Sequence, residues 1–350
     1  MHAITVIPGV KNSARLDDID DPKPSPGMLS VRALALGICG TDREIVSGAY
    51  GAAPPCHERL VLGHESLGVV EHAPDGSSFS KGDHVVGIVR RPDPVPCPAC
   101  ASGEWDMCRN GRYTEHGIKQ RDGFGAQRFN IAPDAAVKVD KTLGLSGVLL
   151  EPTSVVAKAW DHIDRVGRRS NAWRARTALI TGAGPVGMLA ALLAKQRGLD
   201  VHVLDRATDG PKPKLVKALG ATYYASGLDA VLDRLMPDIV VECTGAVPLI
   251  RGLIGHLAPS GILCLAGVSS THAAELDLGR INRDIVLGNQ VVLGSVNANK
   301  LHYQAAAEAL ARADKDWLAK LISRRVPLSH FAEALDNRGD DIKVVIDFSL

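Results

Sequence analysis

A chain of 350 residues, 45% hydrophobic and 23% charged, has enough apolar side chains for two packed cores. Its formal net charge of +1 excludes broad electrostatic attraction to nucleic acid or to an anionic membrane. No apolar run reaches the roughly 18 residues a bilayer span needs, and Met1 to Val6 are not a basic stretch leading into an apolar one. Neither a signal peptide nor an anchor is therefore expected.

The first 150 residues read as short strands, at 28–36, 67–73 and 84–89, separated by Pro, Gly, Asp and Ser. This pattern predicts a compact, barrel-like β domain. The composition changes near Glu151, after which 153–166 is predicted as a helix. A strand at 177–181 leads into Gly182-Ala-Gly-Pro-Val-Gly187 and an Ala/Leu-rich helix over 186–197 closed by Gly198. Strands follow at 201–204, 239–243, 261–266 and 290–293, with a helix at 214–219. Strands alternating with helices predict a parallel sheet covered on both faces, hence an α/β fold. The chain then turns helical (303–313, 317–322) and ends in a strand at 343–348.

Three sets of residues carry chemistry. Cys39, within Gly37-Ile-Cys-Gly-Thr-Asp42, and the pair His64-Glu65 offer a thiolate, an imidazole and a carboxylate, the donors that hold a catalytic zinc with one position open. Glu151, at the junction of the two patterns, is the candidate fourth donor or a helix-capping carboxylate. The glycine loop Gly182, Gly184, Pro185, Val186 and Gly187 follows a strand and opens a helix, the arrangement that lets backbone approach a pyrophosphate. Asp205 closes the second strand about 20 residues on, where an acid accepts from ribose hydroxyls. Arg206 beside it can attract a 2′-phosphate, so NAD is favoured and NADP stays open. The cluster Cys97-x2-Cys100-x7-Cys108 is a partial structural zinc lobe. Pro94 stands where a fourth thiol would complete it; Asp93 or Asp106 could supply an oxygen, and a lobe without metal is the alternative. Seven scattered cysteines do not form a disulfide framework, and reduced thiols in the cytoplasm are the expectation.

These motifs, in this order, resemble the zinc-dependent medium-chain dehydrogenase/reductase superfamily. The segments Arg90-Arg91-Pro92, 115–124 and 295–304 resemble its glucose (aldose) 1-dehydrogenase branch. The resemblance implies a GroES-like catalytic domain from residues 1–155 and 296–350, with a Rossmann domain at 156–295 between. It implies a catalytic zinc on Cys39, His64, Glu65 and Glu151, with Thr41, Glu65 and Glu151 acting in catalysis. Sugar contacts from Thr41, Glu115, Glu151 and Asn297 are implied, as are nucleotide contacts from Thr244, Gly267, Val268, Val296 and Asn297. It also implies a homodimer or homotetramer through the sheet edge near 290–296. Two departures stand out: Val155 replaces a sugar-binding aspartate of some relatives, and Arg43-Glu44 stand where many carry a relay histidine.

The expected reaction is oxidation of an aldose at C1 to its lactone, with zinc and NAD(P). The alternatives are a zinc-dependent polyol or secondary alcohol dehydrogenase on the same scaffold, and a non-catalytic NAD-binding sensor. No nucleic acid or membrane partner is expected.

Overall fold

The computed structural model describes residues 1–269, 274–336 and 338–350. The chain divides into two compact units, one of Met1–Ser154 with Asn297–Leu350 and one of Val155–Val296.

The first unit opens with β1 (His2–Val6), β2 (Arg15–Asp18), β3 (Leu29–Ile38), α1 (Gly40–Val46), β4 (Leu60–Val61) and β5 (Glu65–His72). It continues with β6 (His84–Gly87), β7 (Arg90–Arg91), α2 (Pro98–Ala101), β8 (Thr114–His116), β9 (Gln120–Arg121), β10 (Arg128–Ile131) and β11 (Ala136–Val139). Helix α3 (Leu150–Gly167) leads out of it. The second unit holds β12 (Thr177–Thr181), α4 (Pro185–Gln196), β13 (Asp200–Leu204), α5 (Pro211–Ala218), β14 (Thr222–Tyr224) and α6 (Leu228–Leu235). It ends with β15 (Ile239–Glu242), α7 (Val247–Leu253), β16 (Ile262–Leu265), α8 (Leu278–Gly288) and β17 (Val291–Gly294). The chain returns to the first unit through α9 (Lys300–Ala311), α10 (Lys315–Leu321), β18 (Ile322–Pro327), α11 (Phe331–Leu335) and β19 (Lys343–Asp347).

Strand β3 is the spine of the first unit. Its Leu29, Val31, Ala33 and Ala35 are buried while Arg32 between them is exposed, the two-residue period of a strand with one face on a core. It pairs antiparallel with β5, β10 and β19 in a sheet ordered β11-β6-β5-β3-β19-β18. Both ends of the chain thus build one sheet, and residues near 340 come to lie beside residues near 40. Two small sheets, β2-β1-β4 and β7-β8-β9, complete the unit.

The second unit is a parallel sheet in the order β14-β13-β12-β15-β16-β17. It is the doubly wound arrangement whose first strand–helix turn faces a dinucleotide. Strands β12, β13, β15 and β16 are almost wholly buried, as sheets covered on both faces must be. The predicted α/β architecture is the one observed. Three of the differences from the expectation bear on the site and its surroundings. The helix predicted to reach residue 322 stops at Leu321, and 322–327 is strand β18. Helix α3 starts at Leu150, so Glu151 lies inside its first turn. Helix α8 was not expected: it presents no buried residue. Among the described residues no helix is long and apolar enough to cross a membrane.

Candidate active site

Cys39 follows β3 directly and stands as the N-cap of α1, its backbone N–H donating to Asp42 Oδ2 at 2.9 Å. His64 and Glu65 lie at the start of β5, which β3 holds in register through Gly37 opposite Glu65. Chain pairing therefore brings together donors 25 residues apart. Cys39 Sγ lies 3.2 Å from His64 Nε2, and ligand atoms of Cys39, His64 and Glu65 all fall within 4.8 Å of one another. Sulfur and nitrogen sharing one tetrahedral zinc stand about 3.5 Å apart. A Cβ on Gly37 would sit 2.1 Å from Glu65 Oε2, so only glycine leaves room for this carboxylate.

The electrostatics of the set favour a cation. Burial by itself opposes a charged imidazole, yet Cys39 and Asp42 hold the His64 pKa well above its ordinary value. Asp42, fully buried, lies 3.4 Å from His64 Nδ1. Both Asp42 Oδ1 and His64 Nδ1 are buried without a hydrogen bond in this geometry. The donor types, their spacing and the surrounding negative charge fit zinc.

Glu65 has a second partner the sequence did not reveal. Lys343, from β19 and 1% exposed, donates to Glu65 Oε1 at 2.7 Å, to Oε2 at 2.6 Å and to Ile38 O at 3.3 Å. A metal bound here would share this carboxylate with an ammonium group. Glu151 is not within the 4.8 Å set, but it is buried and feels the same charges. Burial pushes it up to about 7, with His64 and Lys343 opposing and Glu65 reinforcing. Thr41, half-buried, is in the first turn of α1.

Glu115 belongs to β8 and faces Arg90 across the β7–β8 pair. Its Oε1 accepts from Arg90 Nε at 3.0 Å and from Asn297 Nδ2 at 2.9 Å, and Arg90 Nη2 lies 3.0 Å away. Oε2 has no protein donor among the described residues. Arg90 also lies over the Tyr113 ring at 3.7 Å. Asn297 adopts a left-handed backbone (φ 63°), a conformation asparagine tolerates better than most residues. The structure thus joins two of the predicted sugar contacts and adds Arg90, which holds them. The sequence signal for Arg90 was its place in the Arg-Arg-Pro segment, without a role.

In the second unit Gly182 (φ 92°) turns the chain after β12, and Gly184 caps α4 with Pro185 at its first position. A Cβ on Gly187 would lie 1.8 Å from Gly182 O, so the loop closes only with glycine there. Asp205 accepts from Ala183 N at 2.7 Å and Ala207 N at 3.0 Å, with Lys212 Nζ at 4.0 Å. Arg206 and Thr244 are exposed, as are Val268 and Val296, while Gly267 lies so close to Gly245 that a Cβ would be 2.2 Å from its nitrogen. Sequence reading missed Glu242. This fully buried carboxylate at the end of β15 accepts from Thr181 Oγ1, Thr244 N and Gly245 N and fixes the turn that carries Thr244.

Sulfurs of Cys97, Cys100 and Cys108 also lie within 4.8 Å of one another. The Arg109 N–H, together with the Cys100 backbone, lowers Cys97 to about 6, and burial with the neighbouring thiols raises Cys100 to about 12. Asp93 accepts from Asn110 Nδ2 at 2.7 Å and Val95 N at 3.0 Å. Asp106 accepts from Asn299 Nδ2 at 3.0 Å. Neither carboxylate joins the sulfurs as a fourth donor in this geometry.

Two family descriptions match successive parts of the chain: an alcohol dehydrogenase GroES-like domain over residues 25–141 and a glucose dehydrogenase C-terminus over 144–348. The chain is 41% identical to glucose 1-dehydrogenase 2 of Vulcanisaeta moutnovskia over 99% of both chains. It is also 41% identical to glucose 1-dehydrogenase 1 of Caldivirga maquilingensis, covering 100% of this chain and 99% of that one. Among solved structures, Haloferax mediterranei glucose dehydrogenase in complex with NADP, Zn and gluconolactone superposes with a TM-score of 0.92, at 31% identity and 100% coverage of both chains.

Proposed function

The chain belongs to the glucose dehydrogenase family of zinc-dependent medium-chain dehydrogenases, and we propose that it oxidises a cyclic aldose, glucose first, at C1 to the lactone. The observation that carries this reading is the Cys39–His64–Glu65 donor set, its thiol half-buried and its other two members buried. The similarity to an enzyme solved with gluconolactone supports the choice of substrate.

In the overall reaction C1 gives a hydride to the nicotinamide of NAD or NADP and its hydroxyl gives up a proton, so the hemiacetal becomes a lactone as the nucleotide is reduced. Zinc held by Cys39, His64 and Glu65 supplies Lewis-acid polarisation of the sugar oxygen when bound. Thr41 takes the hydroxyl proton on its own hydroxyl and passes one to water, since Arg43 and Glu44 offer no imidazole relay. Glu115, with Oε2 unpaired, accepts from sugar hydroxyls through charge-assisted hydrogen bonds. Asn297 and Arg90 hold it still, and Glu151 contributes a second carboxylate beside the metal donors. Fixed orientation of this kind is worth roughly 7–11 kcal/mol of barrier in well-aligned systems.

Asp205 favours NAD by accepting from the ribose hydroxyls, while the exposed Arg206 and nearby Lys212 leave room for the 2′-phosphate of NADP. The free thiols suit a cytoplasmic enzyme. Edge strand β17 and helix α8, with Leu278 68%, Val286 62% and Leu287 69% exposed, support self-association of the second units into a homodimer or homotetramer. Light scattering that gives a monomer mass would refute that association.

A kinetic comparison of glucose, galactose, xylose, arabinose, fucose, sorbitol, threonine and ethanol, each with NAD and NADP, tests the substrate. An aldose is expected to give the highest kcat/KM. Sorbitol or ethanol ahead of every aldose would instead favour a polyol or alcohol dehydrogenase.

A further inference from the structure

The small sheet β7-β8-β9 has two faces. Strand alternation and the register Arg90↔Glu115, Arg91↔Thr114, Glu115↔Gln120 and His116↔Arg121 sort its side chains by period two. Arg90, Glu115 and Gln120 belong to one face, the face of the sugar contacts. Arg91, Thr114, His116 and Arg121 belong to the other. Arg91, His116 and Arg121 line a cavity of about 370 Å³, with Arg90, Met28, Asn130 and Asp134 among its other residues.

This second face holds two guanidinium groups, and the cavity's one lining acid, Asp134, forms no ion pair with either among the described residues. Arg91 is mostly buried, and its side chain donates to two backbone carbonyls, Arg90 O at 3.2 Å and Ala135 O at 3.5 Å. Arg121 donates to Thr114 Oγ1 at 3.0 Å. Among the described residues neither has a carboxylate within 4.0 Å; Asp134 is an exposed acid at the rim. A guanidinium carries five N–H donors in a planar fork, so most of these donors are unfilled. Burying a cation without a partner is costly. The two charges also act on the same space. Burial and the Arg121 charge push Arg91 down to about 10, with Tyr303 and Asp134 opposing, and it is still protonated at neutral pH. Burial together with Arg91 and Arg121 keeps His116 well below its usual value and hence neutral. His116 Nδ1 donates to Asp122 O at 2.6 Å, which anchors the ring.

We infer that this cavity is an anion site behind the sugar contacts, which takes a tetrahedral oxyanion of the phosphate type between Arg91 and Arg121. Two guanidinium forks match the geometry of such an ion. Its occupancy ties β7 to β9 across β8, the strand that carries Glu115, from behind the sugar contacts.

Calorimetric titration of the zinc-loaded full chain, with NAD saturating so that the nucleotide phosphate site is filled, tests this. The titrant is potassium phosphate in a chloride buffer of matched ionic strength. Wild type is expected to bind one phosphate per chain saturably. Arg121→Gln, a change at an exposed residue, is expected to weaken binding about tenfold, as is Arg91→Lys, which keeps the charge but loses the fork. Both variants are expected to keep the wild-type kcat with glucose. A parallel titration with glycerol phosphate supports the site if it binds, and tighter binding than inorganic phosphate identifies an ester as the ligand. Absence of saturable phosphate binding in wild type, or unchanged affinity in both variants, overturns the inference.

Discussion

Cys39→Ser is expected to lower kcat for glucose oxidation by about 10³-fold or more while NAD binds within about threefold of wild type. The scale follows from electrostatic stabilisation at a reacting oxygen, where loss of a single preorganised donor already costs about 10²–10³. Serine is the informative replacement. Cys39 is the N-cap of α1, and serine is among the best N-cap residues, so the local turn is kept while the soft metal donor is lost. His64→Ala is expected to behave alike, since its ring is the only nitrogen in the donor set. The nucleotide loop at Gly182–Gly187 belongs to the separate unit Val155–Val296, with its own sheet and core. Its affinity is therefore the internal control. Turnover near wild type in both variants would take the metal out of the proposed reaction.

Lys343→Met is expected to destabilise the chelator-treated protein by about 3–5 kcal/mol, the usual cost of stripping one partner from a buried ion pair. The Lys343 ammonium and the Glu65 carboxylate are both almost fully buried, with Nζ within 2.7 Å of each carboxylate oxygen. Methionine fills much of the same volume, so the loss reports the stranded charge rather than a cavity. Chelation matters because a bound metal would give Glu65 another partner. The double variant Lys343→Met/Glu65→Gln is expected to regain most of the loss, and with Glu65→Gln alone it closes the cycle that measures the coupling. Chemical denaturation of the four proteins reads this. A single variant as stable as wild type would show that the pair contributes little.

The candidate metal donors were legible because three unlike ligand types occur in short glycine-flanked segments, and β3–β5 pairing brings them together. The candidate nucleotide loop was legible because it follows a strand and opens a helix, and because Gly182 and Gly187 answer backbone needs that no other residue meets as well. Lys343 was not legible: it lies 278 residues from Glu65, and only the closing of β19 onto β3 brings it there. Nothing local marks it as more than a basic residue before an apolar strand. Asp42 sat in plain view within the Gly37–Asp42 segment, yet its tie to the Cys39 N–H and its place beside His64 need the turn of α1 to be seen. Strand β18 was not expected, its first residue Ile322 being read as the end of a helix, because Arg324 and Arg325 do not look like a strand interior. In the fold Arg324 pairs with Asp341 and Arg325 with Asp347, so the charges are matched across β18 and its surroundings. Helix α8 was not read although Leu278, Ile281 and Ile285 fall at helical spacing; its apolar stripe meets no partner within the chain.

Zinc restoration tests the central claim most directly. Wild-type protein and Cys39→Ser are stripped with a chelator, titrated with zinc, and assayed for glucose-dependent reduction of NAD(P). The account predicts that stripped wild type is inactive, that activity returns in proportion to zinc bound, and that Cys39→Ser recovers none. Full turnover by the stripped wild type, or equal recovery by the variant, would contradict it.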